Sequence, residues 1–292
     1  MFHILLNIIA PVFLIGLVGF VWARRGHAFD TNQIGALVTN VGAPCMVLDT
    51  LSSMTIGPSA FGAMVLASAL CHAAFFAGGW ALLKIGRQPV SAYLPGLVFG
   101  NTGNLGLPLC LFAFGEPGLS AAMSYFVLST ILLFTLSPQF ATGRASLAVL
   151  PKTPVVWALA AALALMFTGT PMPEWLGRPV HLLGAMMIPL MLLSLGVSLA
   201  RLKINALGIG AALAVARLGM GTAVGFAVAA LLGLEGVERG VVVLESAMPA
   251  AVFNYLFAVR YRKHPDELAS MVILSTALAF LTLPVLLSVL LP

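Results

Sequence analysis

The stretch GLVFGNTGNLGLPLCLFAFG, which runs from Gly96 to Gly115, indicates the architecture of the whole chain. It is apolar enough to lie in a membrane, yet its first thirteen residues hold four glycines, two asparagines, a threonine and Pro108. Glycine costs about 1 kcal/mol and proline about 3 kcal/mol inside a helix, and backbone groups freed by a break cannot stay unpaired in hydrocarbon. The sequence therefore predicts a broken membrane helix whose freed groups line a cavity or bind a ligand. Close helix packing at the glycines is the alternative.

A second interrupted segment, GVVVLESAMPAAVFNYLFA from Gly240, carries Glu245, Ser246, Pro249 and Asn254 at a similar depth. Broken helices at matching places in two halves of a chain are typical of a transport site. We therefore predict that both breaks contribute to substrate binding, although Asn254 could equally serve helix packing.

The composition is that of an integral membrane protein. Of 292 residues, 61% are hydrophobic and only 8% are charged, whereas soluble domains carry about 25% charged residues. Apolar runs separated by short breaks predict ten membrane helices. Their expected ranges are 3–23, 32–54, 58–83, 91–114, 118–138, 153–169, 179–200, 204–232, 237–259 and 267–290.

Basic residues indicate the orientation. Eleven Lys and Arg residues follow the odd-numbered predicted helices, and only Arg178 and Arg239 lie on the opposite side. Because basic residues near helix ends stay in the cytoplasm, we expect both termini outside a plasma membrane or cell inner membrane. The basic excess therefore sets topology, which excludes nucleic acid as a partner. Cys45, Cys71 and Cys110 all lie in apolar runs and predict no disulfide framework.

Several landmarks recur about 145 residues apart. VLSTILLFTLSP, ending at Pro138, and ILSTALAFLTLP, ending at Pro284, match at six of twelve positions with an offset of 146. Pro44 similarly corresponds to Pro189, at an offset of 145. Two five-helix halves, 1–140 and 150–292, are predicted, and an odd number of helices per half inverts the second copy. The predicted fold is thus all-α, with ten transmembrane helices in two inverted repeats.

The residues GNTGNLGLPL at 100–109, AMP at 247–249, and the run from Phe257 through YRKHPDELASMVILST to Pro284 resemble the auxin efflux carrier family. That family includes plant auxin exporters and bacterial malonate transporters, and the resemblance spans nearly the whole chain. It implies that broken helices four and nine cross at mid-membrane, as in bile-acid symporters. The long central cytoplasmic loop of the plant exporters is absent, since only 139–152 joins the halves.

The resemblance also implies which residues bind the substrate. The asparagines and prolines of the crossing correspond to Asn101, Asn104, Pro108 and Pro249. Together with the residues between and beside them, the predicted substrate-binding set is Asn101, Thr102, Gly103, Asn104, Pro108, Ser246, Pro249 and Asn254.

Three charged residues lie inside predicted spans: Asp49, Arg217 and Glu245. Each costs about 2.5–3.5 kcal/mol at a helix centre, so each should face the protein interior or water, with a partner. Arg217 is expected either to pair with Asp49 or Glu245 or to contact substrate, and it is included among the ion-coupling candidates. Glu245, one turn before Pro249, is the favoured coupling residue and Asp49 the alternate. Glu245 could carry a proton, which we favour, or help coordinate Na⁺.

The remaining polar candidates are hydroxyls and imidazoles. Ser129–Thr130 and Ser275–Thr276 recur in both halves, and Ser129 and Thr130 are included as ion-coupling candidates, although such hydroxyls usually bond their own preceding turn. His72 and His181 are each expected to point at a backbone carbonyl. No spacing typical of metal ligands is present in the sequence.

These features predict a secondary carrier of small organic anions that works by alternating access, since helix N-termini at a break favour anions. No ATP-binding motif or cofactor site is recognised, so a coupling ion, H⁺ or Na⁺, would supply the energy, and a sodium-coupled symporter is the alternative. The bilayer is the other expected partner, and a homodimer is left open. A channel and an intramembrane enzyme are remote alternatives, because the sequence holds no GxSxG or HExxH motif.

Overall fold

The computed structural model describes residues 2–52, 58–142, 151 and 153–291. Within these ranges every regular element is helical and no β-strand occurs. The all-α prediction is therefore confirmed. Most of the predicted 139–152 loop, with Arg144 and Lys152, lies outside the described residues.

The described part of the first half contains six α-helices and two short π-helical turns. The α-helices are α1 Phe2–Arg24, α2 Thr31–Leu37, α3 Ala43–Ser52, α4 Pro58–Ile85, α5 Val90–Val98 and α6 Leu107–Thr142. One π-helical turn, Val38–Gly42, joins α2 to α3 and ends two residues before Pro44, and the other, Thr102–Gly106, precedes α6. Proline lacks an N–H group and crowds the preceding turn, which explains the widened turn beside Pro44.

Between residues 153 and 291, which the structure describes, the second half contains seven α-helices. They are α7 Pro154–Thr168, α8 Glu174–Ala185, α9 Met187–Arg201, α10 Leu207–Leu231, α11 Gly236–Ser246, α12 Val252–Tyr261 and α13 Pro265–Leu290. The regular α-helix is interrupted at Met186, between α8 and α9 and three residues before Pro189. Both halves therefore deviate from regular α-helix close to their corresponding prolines, Pro44 and Pro189.

Among the described residues, seven helical stretches are long and apolar enough to cross a bilayer, as expected of a multi-pass membrane protein. The predicted ninth span divides into α11 and α12, and the predicted sixth span is only the fifteen-residue α7. The predicted fourth span stops at Val98 and resumes at Thr102, so its second part is continuous with the fifth. The count of ten spans therefore stays a prediction.

The long stretch that contains α6 cannot be one straight crossing. Its 36 residues from Thr102 to Ser137 would measure about 54 Å at 1.5 Å per residue, against about 30 Å of hydrocarbon. The helix is interrupted at Gly115, where φ is 68° and ψ is −157°. Glycine adopts this positive φ without the steric cost that other residues incur, so the predicted gap between helices four and five is a kink.

The helices pack around a core that lies beside the two breaks. α1 packs along α9, α3 against α7 and α8, α4 against α5 and α6, and α10 against α11 and α13. The α5 residues from Ala92 to Val98 and the α11 residues from Gly240 to Ser246 are all buried. Large apolar side chains are exposed on outer helices such as α1, α10 and α13, as expected of surfaces that face lipid.

Candidate functional site

The two helix breaks contact each other through their backbones. Gly100 and Ala250 form an isolated antiparallel bridge. The N–H of Asn101 donates to the Pro249 carbonyl at 2.7 Å, and the N–H of Ala251 donates to the Phe99 carbonyl at 3.1 Å. Backbone groups freed by one break are thus satisfied by the other, which removes the penalty of unpaired polar groups in the membrane.

Asn254 and Ser275 brace this contact from the second half. The Nδ2 of Asn254 donates to the Phe99 carbonyl at 2.9 Å, and the Oγ of Ser275 accepts the N–H of Ala250 at 3.1 Å. Asn254 is 1% exposed and is not among the residues that line the cavity described next. Its amide faces the opposite break and not the cavity, and a direct substrate contact of Asn254 stays a prediction.

A cavity of about 570 Å³ opens above the contact between the breaks, a size typical of small-molecule sites. Its floor consists of 100–104 from the first break and 251–253 from the second. Four predicted substrate residues line it: Asn101, Thr102, Gly103 and Asn104. Asn101 is 4% exposed, and its Nδ2 donor has no hydrogen-bond partner in the described part of the chain.

Two helix N-termini meet at this floor. In the first break, the N–H groups of Leu105 and Gly106 both donate to the Asn101 carbonyl, so those of Thr102 to Asn104 precede the first intrahelical bonds. In the second break, α12 begins at Val252, beside Ala251. The first N–H groups of a helix have no intrahelical acceptor and carry partial positive charge. The floor is therefore suited to a negatively charged group.

Ser129 and Thr130 also line the cavity, from α6. The Oγ of Ser129 lies 3.1 Å from Nε2 of His72, whose Nδ1 lies 2.7 Å from the Ser68 carbonyl. The prediction for His72 is confirmed. Ser129 contacts this buried imidazole on α4, and among the described residues its hydroxyl makes no hydrogen bond to its own preceding turn. In the second half, Thr276 donates to the Val272 carbonyl at 2.7 Å, as expected of a hydroxyl in a membrane helix.

Glu245 lies beneath the floor and outside the cavity lining. Its side chain is fully buried, and one carboxyl oxygen accepts the Cys110 thiol at 3.8 Å. The other oxygen has no hydrogen-bond partner within the ranges that the structure describes. The carboxyl packs against Gly106, where an added Cβ would lie 2.7 Å from Cδ of Glu245.

Ser246, Pro249 and Pro108 are also buried, and none of them lines the cavity. The hydroxyl of Ser246 contacts the Tyr125 hydroxyl and the Cys71 sulfur, each at 3.3 Å. Pro249 contributes its carbonyl to the contact between the breaks, and Pro108 lies in the first turn of α6. The structure therefore gives these three residues positions that support the site from behind.

Arg217 is the largest fully buried side chain of the described residues, with 1% exposure. Its guanidinium donates to three backbone carbonyls: Leu97 at 3.1 Å, Ser246 at 3.1 Å and Met248 at 3.2 Å. The expected ion pair with Asp49 or Glu245 is absent from the ion pairs of the described chain. The break supplies unpaired carbonyls on its own, so Arg217 is satisfied without a carboxylate.

Asp49 lies away from the cavity. Its carboxyl accepts from Nδ1 of His181, 2.9 Å away, which joins α3 to α8. The expectation that His181 faces a backbone carbonyl is therefore wrong, because the carboxylate on the neighbouring helix offers a stronger acceptor. Asp49 does not contribute to the cavity lining.

A polar stripe on α9 lines the cavity and was not predicted. It comprises Ser194, Ser198 and Arg201, spaced i, i+4 and i+7, so that they share one helix face. The Oγ of Ser194 has no partner in the described segments. The only signal in the sequence was this spacing of polar residues within the otherwise apolar run MIPLMLLSLGVSLAR.

The fold and the site together define a class of protein. Broken membrane helices whose N-termini meet at the floor of a cavity are a feature of membrane transporters. The comparison with known families agrees: residues 143–287 match the model of a family described as membrane transport protein. This match agrees with the resemblance that the motifs indicated, and the protein is a membrane transporter and not an enzyme.

Two curated relatives extend the similarity over both halves. A protein from Methanocaldococcus jannaschii, described as an uncharacterized transporter, is 25% identical over 95% of this chain and 96% of its own length. A protein of the same description from Methanothermobacter thermautotrophicus is 25% identical over 94% of this chain and 95% of its own length. Both matches include the first break, which precedes the region covered by the family model.

Proposed function

We propose that this protein is a secondary carrier that moves small organic anions across the plasma membrane or cell inner membrane by alternating access. One observation carries the proposal: two helix N-termini and the unpartnered Nδ2 of Asn101 meet at the floor of a cavity of about 570 Å³. Partial positive charge and free donors favour a carboxylate or similar group at this floor. Apolar walls, which include Phe126, Met191 and Phe253, would cover the rest of the substrate.

The proposed architecture has ten spans in two inverted repeats, 1–140 and 150–292, whose broken fourth and ninth spans cross. The packing supports it, because exchanging each span for the one five places later preserves the main contacts. α1 packs against α9, and the helices that correspond to them in the other half, α7 and α3, also pack against each other. In the same way, α4 packs against α6 and their counterparts α10 and α13 pack against each other. The pair α4 with α5 likewise exchanges with α10 and α11.

The cavity opens, in this proposal, toward the cytoplasm. The lining farthest from the floor includes Thr31, Ser198 and Arg201. These residues lie next to the basic segments that are expected inside the cell. The guanidinium of Arg201 donates to the Phe29 carbonyl at 2.7 Å and lies 3.4 Å from Oγ1 of Thr31. The described conformation would therefore be the inward-open state of the carrier. The contact between the breaks would close the cavity on the side that faces the cell exterior.

We further propose that Glu245 couples transport to protons. Its carboxyl is buried, and no cationic group pairs with it among the described ion pairs. An isolated carboxylate is costly in an apolar environment, so the packing favours its neutral form. Protonation and release at this position, directly behind Gly106 of the first break, would change the packing of the crossing.

The anion proposal is tested by uptake into proteoliposomes. The panel comprises labelled dicarboxylates, monocarboxylates, aromatic acids and bile-acid-like anions. We expect saturable uptake of at least one class, whereas flux that never saturates would favour a channel and contradict the carrier proposal.

Asn101→Leu tests the site itself. The change keeps the volume roughly constant and removes the amide, which leaves substrate groups unpaired at about 1–3 kcal/mol. We expect the apparent affinity to fall by roughly 5- to 150-fold, and a similar loss is expected for Asn104→Leu. Asn7→Leu, at an exposed position of α1, is the matched control. Wild-type uptake by both Asn101→Leu and Asn104→Leu would contradict substrate binding at the first break and would favour a role in helix packing alone.

A further inference from the structure

Arg217 occupies a cation position built from helix C-termini. Leu97 belongs to the last turn of α5, Ser246 ends α11, and Met248 follows Ser246 in the second break. The carbonyls at a helix C-terminus have no intrahelical donor and carry partial negative charge. The guanidinium therefore bonds the negative ends of both half-helices, on the side of the crossing away from the cavity.

The surroundings of Arg217 are shaped around the guanidinium. A Cβ added at Gly100 would clash with Nη2 of Arg217 and lie 3.3 Å from its Cζ. The Phe75 ring lies on another side, with its centroid 4.7 Å from Cζ. Glycine lets the backbone approach the guanidinium closely, and an aromatic face attracts a cation. Both features indicate a defined site for one positive charge.

No carboxylate balances this charge within the part of the chain that the structure describes. Its partners are backbone dipoles, and the neighbouring acid Glu245 instead accepts from Cys110. Unwound backbone carbonyls and half-helix C-termini are the groups that coordinate Na⁺ in transporters with broken helices. Here the guanidinium of Arg217, on α10, occupies such a position and donates three hydrogen bonds to these carbonyls.

We propose that Arg217 is a tethered cation that permanently occupies the coupling-ion position of the crossing. The wild-type protein therefore neither binds nor requires Na⁺ there, and removal of the side chain opens a site for a free monovalent cation. Only the role of this position in transport rests on the proposed function. The cation binding itself is measured without substrate.

The experiment compares wild-type protein with Arg217→Ala in detergent or nanodiscs. The midpoint of thermal unfolding, Tm, is recorded against guanidinium, Na⁺, K⁺ and choline at millimolar concentrations and constant ionic strength. We expect Arg217→Ala to have a lower Tm than wild type, and guanidinium or Na⁺ to raise it saturably by about 3 °C or more. Choline should have no effect, and wild-type Tm should respond to none of these cations.

Arg239→Ala is the matched control, because the Arg239 guanidinium is exposed and lies 5.8 Å from the Phe226 ring. It removes the same charge without opening a buried site, so no cation should rescue it. Saturable stabilisation of wild type by Na⁺, or an Arg217→Ala protein that no cation stabilises, would overturn the proposal.

If Arg217→Ala does not fold, Arg217→Lys and Arg217→Met replace it. Lysine retains the charge and methionine retains most of the length, so a tethered cation predicts a higher Tm for Arg217→Lys. Equal Tm values for these two variants would contradict the inference.

The outcomes also separate this inference from the proposed function. Failure of anion uptake alongside cation rescue of Arg217→Ala would leave the cation position intact. Strict Na⁺ dependence of wild-type anion uptake would instead overturn the tethered cation and leave the anion carrier standing.

Discussion

Asn101 and Asn254 are the same residue type at the two breaks, yet their amides face opposite ways. Asn254 donates to the Phe99 carbonyl and holds the breaks together, whereas Asn101 lines the cavity with an unpartnered donor in the described structure. The two side chains should therefore contribute to different properties, the first to stability and the second to substrate affinity.

Asn254→Leu should reduce stability more than Asn101→Leu does. Loss of the Nδ2 bond leaves a buried carbonyl with one partner fewer, at about 1–3 kcal/mol, so Tm should fall for Asn254→Leu. The Tm of Asn101→Leu should stay near the wild-type value, because its Nδ2 makes no protein hydrogen bond that could be lost. Thermal unfolding of both purified variants provides the measurement, and an equal loss of Tm would contradict the assignment.

Glu245→Gln should abolish the response of transport to a pH gradient. Glutamine imitates the neutral carboxyl at nearly constant shape but cannot release a proton, so substrate exchange should continue while proton-driven accumulation ceases. Uptake into proteoliposomes with and without an imposed pH gradient checks this, with Glu235→Gln, an exposed position, as the control. Continued concentration of substrate by the variant in response to the gradient would remove Glu245 as the coupling residue.

The sequence identified most of these residues as polar groups in a membrane but could not assign their directions. Asn101, Thr102 and Asn104 were predicted at the site and line the cavity. Arg217 was expected to pair with an acid, because a sequence shows where charges lie and not which backbone carbonyls a break leaves free. Its actual acceptors depend on how α5 and α11 end.

At the scale of elements, the glycines of the first break permit contacts that any side chain would prevent. An added Cβ at Gly106 would lie 2.7 Å from Cδ of the buried Glu245. The same atom at Gly219, on the exposed side of α10, would meet nothing within 4 Å. Substitutions at these two positions therefore distinguish the steric effect of an added side chain from the effect of helix propensity.

Gly106→Ala should lower Tm by the equivalent of about 1–3 kcal/mol, since the carboxyl cannot move freely in a packed interior. Gly219→Ala should leave Tm unchanged or raise it slightly, because alanine favours helix by up to about 1 kcal/mol. The same direction of change in both variants would show that propensity, and not the contact with Glu245, determines the effect.

The positions of the breaks could be predicted because Gly and Pro act locally, through the backbone of their own segment. The α9 face with Ser194 and Ser198 could not be placed at the cavity, since its position depends on how α9 packs against α1. Serine in a membrane helix is also commonly satisfied by its own preceding turn, so these residues carried no distinct signal.

For the whole molecule, the repeated sequence landmarks and the exchange of contacts between halves point to the same pseudo-symmetry. The described helices include seven long apolar stretches, and the proposed ten spans require that interrupted and merged helices account for the other three. Ten spans give an odd number per half, so the two halves must enter the membrane in opposite directions. Orientation is therefore the property that most directly tests the proposed architecture.

Topology reporters fused at position 146, after Lys203 and at the C-terminus should distinguish the two sides of the membrane. The first two fusions should lie in the cytoplasm, where basic residues are retained, and the third should lie outside. The fusion after Lys203 also tests the cavity, because it follows Arg201 and Leu202 of its lining. The same location for positions 146 and 292 would exclude the inverted repeat, and an external location for Lys203 would reverse the proposed inward-open state.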